Sequence, residues 1–310
     1  MTGFILGAGL GTRLRPLTDH LPKPLVPVGN RPLIEWTMDR MLTAGVDRFV
    51  VNTHHLPGAY ADAFPGAVYR GCPVHFRHEP VLLDTAGGIR NSAHLLTAPF
   101  LVANADILSD VDFTALVAAH RGSGNVATLA LRSRGPVCNV AIEPGPDRDR
   151  VRVVDLRRLL QPERPGTHQY TGMALLEPAL LDRIPPDRIV SLVPVLVEAI
   201  RAGLGVGGVV LDGGEWRDLG TPREYLAVHR ELARGRPLID PQTQVEPGAV
   251  LEGSVVLGAG SVVESDVVLR DVVVWGGIRI RSGSRLEECI ACGAGEVPAT
   301  TRNGGVVEAR

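Results

Sequence analysis

From Ile239 onward an apolar residue returns every six positions, at Ile239, Val245, Leu251, Leu257, Val263, Leu269 and Trp275. After a one-residue slip, Ile280, Leu286 and Cys292 continue the series. Small or β-branched residues often fall four places later, at Ala249, Val255, Ser261, Val267 and Val273, then at Ser284 and Ile290. A period of six belongs to neither an isolated helix nor an ordinary strand, whose side chains recur at 3.6 and 2. It marks a parallel β-helix, in which each short strand stacks on the strand one coil earlier. About ten hexads, three to a coil, make roughly three coils. The tail from about residue 298 is expected to fray.

The chain before this rod has a different texture. Apolar runs at Phe4–Leu6, Phe49–Val51, Phe100–Val102, Val126–Leu131 and Val206–Leu211 read as buried strands. Between them lie helical patterns over Pro32–Ala44, Ala86–Leu96, Asp112–His120, Leu192–Ala202 and Pro222–Ala233. Proline in the first turn and Gly45 past the end bound the first of these helices. Alternating strand and helix predicts an α/β layer fold with a Rossmann-like, mostly parallel mixed sheet flanked by helices. A short parallel β-helix follows it. Ligands of such sheets gather beyond the carboxyl ends of the strands. The expected division is residues 1–236, 237–298 and a tail over 299–310.

With 32 basic and 34 acidic residues the formal net charge is −2, which argues against nucleic acid or an anionic membrane surface as the partner. No apolar run approaches the ~20 residues of a membrane span. The opening residues lack the basic start and cleavage site of a signal peptide, and four scattered cysteines make no disulfide framework, so a cytoplasmic protein is expected. Cys289-x-x-Cys292 has no second pair or nearby histidine, and packing is the better reading of it than zinc. His54 and His55 read as a hydrogen-bonded loop at a strand end.

Of the 32 basic residues only Lys23 is lysine. It stands in Pro22-Lys23-Pro24-Leu25, soon after Gly7-Ala8-Gly9-Leu10-Gly11-Thr12-Arg13. Lysine is a compact point charge and arginine a planar fork, and they do not interchange at a tight anion site. Five prolines between Gly7 and Pro32 exclude a single helix, and no helix is expected before Pro16. Glycines let the backbone approach a polyphosphate, with Arg13, Arg15 and Lys23 supplying charge. A Walker A loop is excluded because no glycine precedes the lysine, and a dinucleotide fingerprint lacks its third glycine at a helix start.

Gly7-x-Gly9-x-Gly11-Thr12-Arg13-Leu14-x-Pro16-Leu17-Thr18, followed by Pro22-Lys23-Pro24-Leu25, resembles the signature of the sugar-1-phosphate nucleotidyltransferases. The likeness runs over nearly the whole chain, and members with an appended left-handed β-helix, which the hexad region here matches, resemble mannose-1-phosphate guanylyltransferases and related enzymes. The resemblance implies transfer of a nucleotidyl group from a nucleoside triphosphate, GTP by preference, to a sugar 1-phosphate. It implies Mg²⁺ on Asp106 and Asp218, with Arg13 on the leaving pyrophosphate and Lys23 between the reacting phosphates. Leu6, Gly7, Ala8, Gly9, Gly11, Thr12, Arg13 and Asn104, with Thr85-Ala86-Gly87-Gly88, would hold the nucleotide. The glycines would let the base lie flat; Thr85 also reads as a helix cap. Asp110 and Asp112 read as turn or cap residues.

On the sugar side the chain departs from the pattern. No Glu-Lys-Pro is present, Tyr170-Thr171-Gly172 replaces Asn-Ala-Gly, and Cys138-Asn139 replaces Tyr-Gly. Lys23, Asn139, Thr171 and Gly172 are the expected sugar-phosphate contacts. Similar losses occur in the N-acetylmuramate-1-phosphate uridylyltransferase subgroup, which keeps a uridylyl reading open; the alternative is uridylyl or thymidylyl transfer to another sugar 1-phosphate, of glucose, N-acetylmuramate or heptose type. A non-catalytic sugar-nucleotide sensor is a second alternative, against which the retention of Arg13, Lys23, Asp106 and Asp218 speaks. An acyltransferase β-helix is disfavoured because no histidine follows His229. A homo-oligomer, built through the β-helix, is expected.

Overall fold

A computed structural model describes residues 1–145 and 149–310. The chain forms two compact units, one of residues 1–9 and 34–217, the other of residues 10–33 and 218–310. Among the described residues no helix is long and apolar enough to cross a membrane.

The first unit is built on one mixed sheet. Its main strands are β1 (Thr2–Leu6), β2 (Arg48–Thr53), β3 (Cys72–His78), β4 (Phe100–Asn104), β5 (Ala127–Arg132), β6 (Val140–Pro144), β7 (Arg150–Leu156), β8 (Gln169–Leu176) and β9 (Val206–Val210). They lie in the order β6-β7-β9-β5-β8-β4-β1-β2-β3, with the short strand Val68–Tyr69 at the β3 edge. The half carrying β1 is parallel: β1 pairs with β2 and β4, and β2 with β3. β8 enters antiparallel between β4 and β5. The expected strands are all present. Each is apolar on both faces because helices cover both, so Phe4, Val50, Val102 and Leu129 are wholly buried.

Expected helices form over Leu33–Thr43, Asp84–Asn91, Phe113–His120, Leu192–Arg201 and Pro222–Ala233. Gly45, at φ +87°, ends the first in the left-handed conformation that glycine tolerates. The second is shorter than its pattern and breaks into a 3₁₀ turn over Ala93–Leu95. Asp112 caps the third by accepting from Thr114 N and Ala115 N, at 2.8 and 3.3 Å. The last opens with a capping box: Thr221 Oγ1 accepts from Glu224 N, and the Glu224 carboxylate accepts from Gly220 N at 3.0 Å.

The hexad region is a parallel β-helix. Leu238 pairs with Val256, Gln244 with Val262 and Val250 with Val268, a repeat of 18 residues, or three hexads to a coil. Val256 then pairs with Val273 and Val273 with Ile290, so later coils are one residue shorter. This moves the slip. Val274, not Trp275, stacks on Leu257, and Ala291, not Cys292, continues that column. Side chains alternate along a strand, so Trp275 and Cys292 point to the opposite face. Both are buried there, and Cys289 and Cys292 are free thiols. Burial pushes the Cys292 thiol up to about 12, which fits packing rather than redox chemistry.

The expected frayed tail is a correction. Thr301–Ala309 is a nine-residue strand running parallel to Arg285–Gly293. The last full coil leaves a row of unpaired N–H and C=O groups, and the tail satisfies them.

Candidate active site

In the first unit the glycine turn leaves β1 between two anchors. Gly7 N donates to Asn52 Oδ1 at 2.8 Å, and Gly7 O accepts from the Tyr60 hydroxyl at 3.1 Å. A Cβ on Gly7 would lie 2.9 Å from Asn52 O, so glycine is required for that approach. The Asn52 amide donates in turn to Glu79 Oε1 at 2.8 Å, and Glu79 Oε2 accepts from Leu83 N at 3.0 Å. Glu79 is completely buried, yet each carboxyl oxygen has a donor, as a polar group in the interior requires. The network ties the turn after β1 to the start of Asp84–Asn91. Ala8 is buried and Gly9 exposed to open space, while Ala105 N donates to Leu6 O at 3.1 Å and fixes the chain just before Asp106.

The segment expected to cradle the base is the first turn of that helix. A Cβ on Gly87 would lie 2.5 Å from Arg188 O, and one on Gly88 2.5 Å from Asn52 Nδ2. Both glycines therefore make room for protein groups. Thr85 does not cap its own helix. Its hydroxyl accepts from Leu192 N at 2.7 Å, at the start of Leu192–Arg201. Ala86 is wholly buried between these elements.

Around β8 the chain bulges between Tyr170 and Ala174. Gly172 takes φ +83°, and a Cβ there would lie 2.8 Å from Asn104 Nδ2. Thr171 is buried, with its hydroxyl donating to Ala130 O at 2.9 Å. Its carbonyl accepts from Trp216 Nε1 at 2.9 Å. Asn139 is partly buried and its carbonyl accepts from Arg157 N at 2.7 Å. Glu215 is held by Asp110, whose Oδ1 accepts from Glu215 N at 2.5 Å, which gives Asp110 the turn role expected of it. His54 Nδ1 bonds Glu79 O at 2.7 Å, as a loop histidine does.

The second unit holds the cations. Gly11, at φ +62°, starts a 3₁₀ turn over Thr12–Leu14, so a helical turn does precede Pro16, though only a single one. Gly11 O accepts from Leu14 N at 2.9 Å and from the Thr18 hydroxyl at 3.0 Å. A second 3₁₀ turn carries Lys23–Leu25. A Cβ on Gly11 would sit 3.0 Å from Lys23 Cβ, so the first glycine turn packs on the lysine stem. Arg13 Nη2 lies 3.0 Å from Asp218 Oδ2, and Lys23 Nζ lies 3.4 Å from Asp218 Oδ1. The Arg13 side chain is 64% exposed and that of Lys23 only 6%. One is an exposed planar fork, the other a buried point charge. Thr12 is exposed beside them, and Arg15 pairs with Asp19 at 3.0 Å.

Asp218 bears on whether these residues fit Mg²⁺. Among the described residues no group of three or more His, Cys, Asp or Glu side chains forms a metal cage. Mg²⁺ does not ask for one, since it binds through one or two carboxylates and leaves its other positions to water and phosphate. Asp106 and Asp218 suit that donor chemistry. In this structure Arg13 and Lys23 both pair with the Asp218 carboxylate.

A mixed α/β sheet with a glycine turn after its first strand, and a buried lysine paired to an aspartate, defines a phosphate-handling enzyme of the nucleotidyl-transferring class. Residues 2–139 match the Nucleotidyl transferase family. The chain is similar to a mannose-1-phosphate guanylyltransferase of Mycobacterium tuberculosis, 31% identical over 91% of this chain and 82% of that one. It is also similar to an N-acetylmuramate α-1-phosphate uridylyltransferase of Neisseria meningitidis, 35% identical over 71% and 94% respectively. Among solved structures, a UDP-glucose pyrophosphorylase from Acinetobacter shares the fold, with TM-score 0.66 and 16% identity over 75% of this chain and 93% of that one. The chain belongs to the sugar-1-phosphate nucleotidyltransferase family.

Sequence reasoning passed over Asn52, Glu79, Tyr60, Trp216 and Gly220. Asn52 carried a signal, being a polar residue at the carboxyl end of an otherwise apolar buried strand.

Proposed function

We propose that this chain joins a nucleoside triphosphate and a sugar 1-phosphate into a nucleotide-sugar and releases pyrophosphate, with GTP and mannose 1-phosphate as the substrates. The observation that carries the reading is the single lysine, buried and paired with Asp218, in the loop that bears the family signature. A sugar-phosphate oxygen attacks the α-phosphorus in line. That oxygen is already anionic, so no general base is needed, and catalysis is positioning and charge stabilisation. Lys23 holds the reacting phosphates and Arg13 the leaving pyrophosphate. The backbone from Leu6 to Thr12, with Thr85–Gly88 and Asn104, receives the nucleotide, and Asn139 and Gly172 border the sugar. Asp106 and Asp218 would hold Mg²⁺, which supplies Lewis-acid neutralisation of phosphate charge when bound.

The guanylyl reading is favoured because the mycobacterial likeness extends over 91% of the chain. The uridylyl reading rests on the higher identity to the Neisseria protein, over 71%. Leu238, Ile239, Val245 and Val250 of the first β-helix coil are exposed, which supports a homo-oligomer assembled through that coil. A cytoplasmic location suits substrates of this kind.

The test is mass spectrometry of the product formed with Mg²⁺ from GTP and mannose 1-phosphate, against UTP and N-acetylmuramate 1-phosphate. GDP-mannose is the expected product. UDP-linked N-acetylmuramate would replace the guanylyl reading with the uridylyl one, and no nucleotide-sugar with any pair would refute both.

A further inference from the structure

The second unit links the Lys23 loop to the β-helix by a short hydrogen-bond chain. Trp275, displaced from the helix column by the shortened coil, donates its indole N–H to the Tyr225 hydroxyl at 3.0 Å. Tyr225, in Pro222–Ala233, donates that hydroxyl to Pro27 O at 2.5 Å. Both side chains are buried, and burial raises the Tyr225 hydroxyl far above its usual pKa, so it stays a donor. Pro27 lies two residues beyond the 3₁₀ turn of Lys23, which closes with Val26 N on Lys23 O at 3.2 Å.

Three further contacts fix the same loop. Pro27–Val28 pairs with Arg31–Pro32 around Gly29 and Asn30, both at positive φ, as a two-residue type I′ hairpin requires. Gly29 N donates to His229 Nε2 at 3.1 Å, and the Asn30 amide donates to Leu257 O at 2.9 Å on the β-helix. On the other side of the loop, the edge of His20 meets the Trp275 ring, with centroids 6.5 Å apart and planes at 80°. Trp275 thus meets the chain before Lys23 directly, at His20, and the chain after it through Tyr225, at Pro27.

We propose that Tyr225 and Trp275 are positioning residues that carry the rigidity of the β-helix into the Lys23 loop and fix the placement of its ammonium. The catalytic part of this inference rests on the reaction proposed above; the mechanical part does not. The β-helix then has a task inside each subunit, whatever it does between subunits. Lys23 is almost fully buried and its ammonium pairs with Asp218 at 3.4 Å, so loosening Pro27 shifts the charge away from the phosphates. Misplacement of a charge by an ångström is costly to turnover while leaving substrate affinity nearly intact.

Because Lys23 is the only lysine, its reactivity gives a readout independent of activity. Full-length wild type, Tyr225→Phe and Trp275→Phe are treated with formaldehyde and borohydride well below their unfolding temperatures. Methylation of Lys23 is followed by mass spectrometry apart from that of the Met1 amine. Tyr225→Phe keeps the phenyl ring and removes the hydroxyl that makes both bonds, and Trp275→Phe keeps an aromatic side chain and removes the indole N–H. The expected result is a rise in the Lys23 methylation rate of about tenfold in each variant, kcat lowered by about tenfold and KM within about twofold. The double variant should be no worse than Tyr225→Phe, since the links act in series. Wild-type methylation rate and wild-type kcat in the variants would overturn the proposal. If Tyr225→Phe does not fold, Trp275→Phe decides alone. A wild type without pyrophosphate release would count against the reaction, and Lys23 protection would still decide the relay.

Discussion

Gly220 makes room for Arg13. A Cβ on Gly220 would lie 2.5 Å from Arg13 Nη1 and 2.9 Å from its Cζ, so the guanidinium lies flat on this glycine while it pairs with Asp218. Any side chain at 220 pushes the fork off the carboxylate. The fold itself loses little, because the colliding atoms end a flexible and exposed side chain. Gly220→Ala should keep stability within ~1 kcal/mol and lower kcat/KM for the nucleotide by about tenfold, equal to ~1.4 kcal/mol. Thermal unfolding and steady-state kinetics on the same preparation check both halves.

The Asn52–Glu79 pair makes a second prediction, about the fold. Glu79 is wholly buried and receives the Asn52 amide on one oxygen and Leu83 N on the other. Glu79→Ala strands both donors in the interior and should cost about 2–4 kcal/mol. Denaturant titration reads this as a lower midpoint at unchanged slope. A midpoint equal to wild type would show that the network does not hold the glycine turn.

His229 makes the third, in pH. Its Nε2 accepts from Gly29 N and its Nδ1 bonds Tyr225 O, so the ring is neutral and protonated on Nδ1. Complete burial lowers its pKa to about 4 from 6.5. The unfolded chain therefore takes up a proton below 6.5 that the folded chain refuses. The contribution of His229 is fully present above pH 6.5 and is lost as pH falls toward 4, by up to ~3 kcal/mol. Urea titrations from pH 7.5 to 4 should show this loss, and His229→Gln should remove about one proton from the slope. An unchanged slope in the variant would mean that other groups carry the acid sensitivity.

Much of this architecture follows from local pattern. The apolar runs became the sheet because strands covered on both faces have no polar side to interrupt them. The proline-rich segment became two 3₁₀ turns and a four-residue helix, as its prolines demand. The chain also told that Lys23 is special, and the structure buries it beside Asp218.

What stayed hidden depended on register or on distant partners. Trp275 and Val274 both extend a six-residue count, from Leu269 forward or from Ile280 back, and only strand pairing chooses Val274. Asn52 and Glu79 meet because β2 and β3 are neighbours, with Thr53 opposite His78. Thr85 looked like a cap because its helix follows it; its hydroxyl instead serves a helix start 107 positions on. The tail carries no hexad signal, since its pairing is with the backbone of Arg285–Gly293 and not with a side-chain column.

The central claim is that one lysine, placed by this loop, handles the reacting phosphates. It is tested most directly by pyrophosphate release with Mg²⁺ and a panel of nucleotides and sugar 1-phosphates, for wild type, Lys23→Ala and Lys23→Arg together. Lys23 is 5% exposed with Gly11 packed on its stem, so a guanidinium does not fit. Wild type should turn over one pair, GTP with mannose 1-phosphate, and both variants should fall by about 10²–10³-fold. Turnover by Lys23→Arg at the wild-type rate, or a wild type that binds nucleotide and releases no pyrophosphate with any pair, would contradict the account.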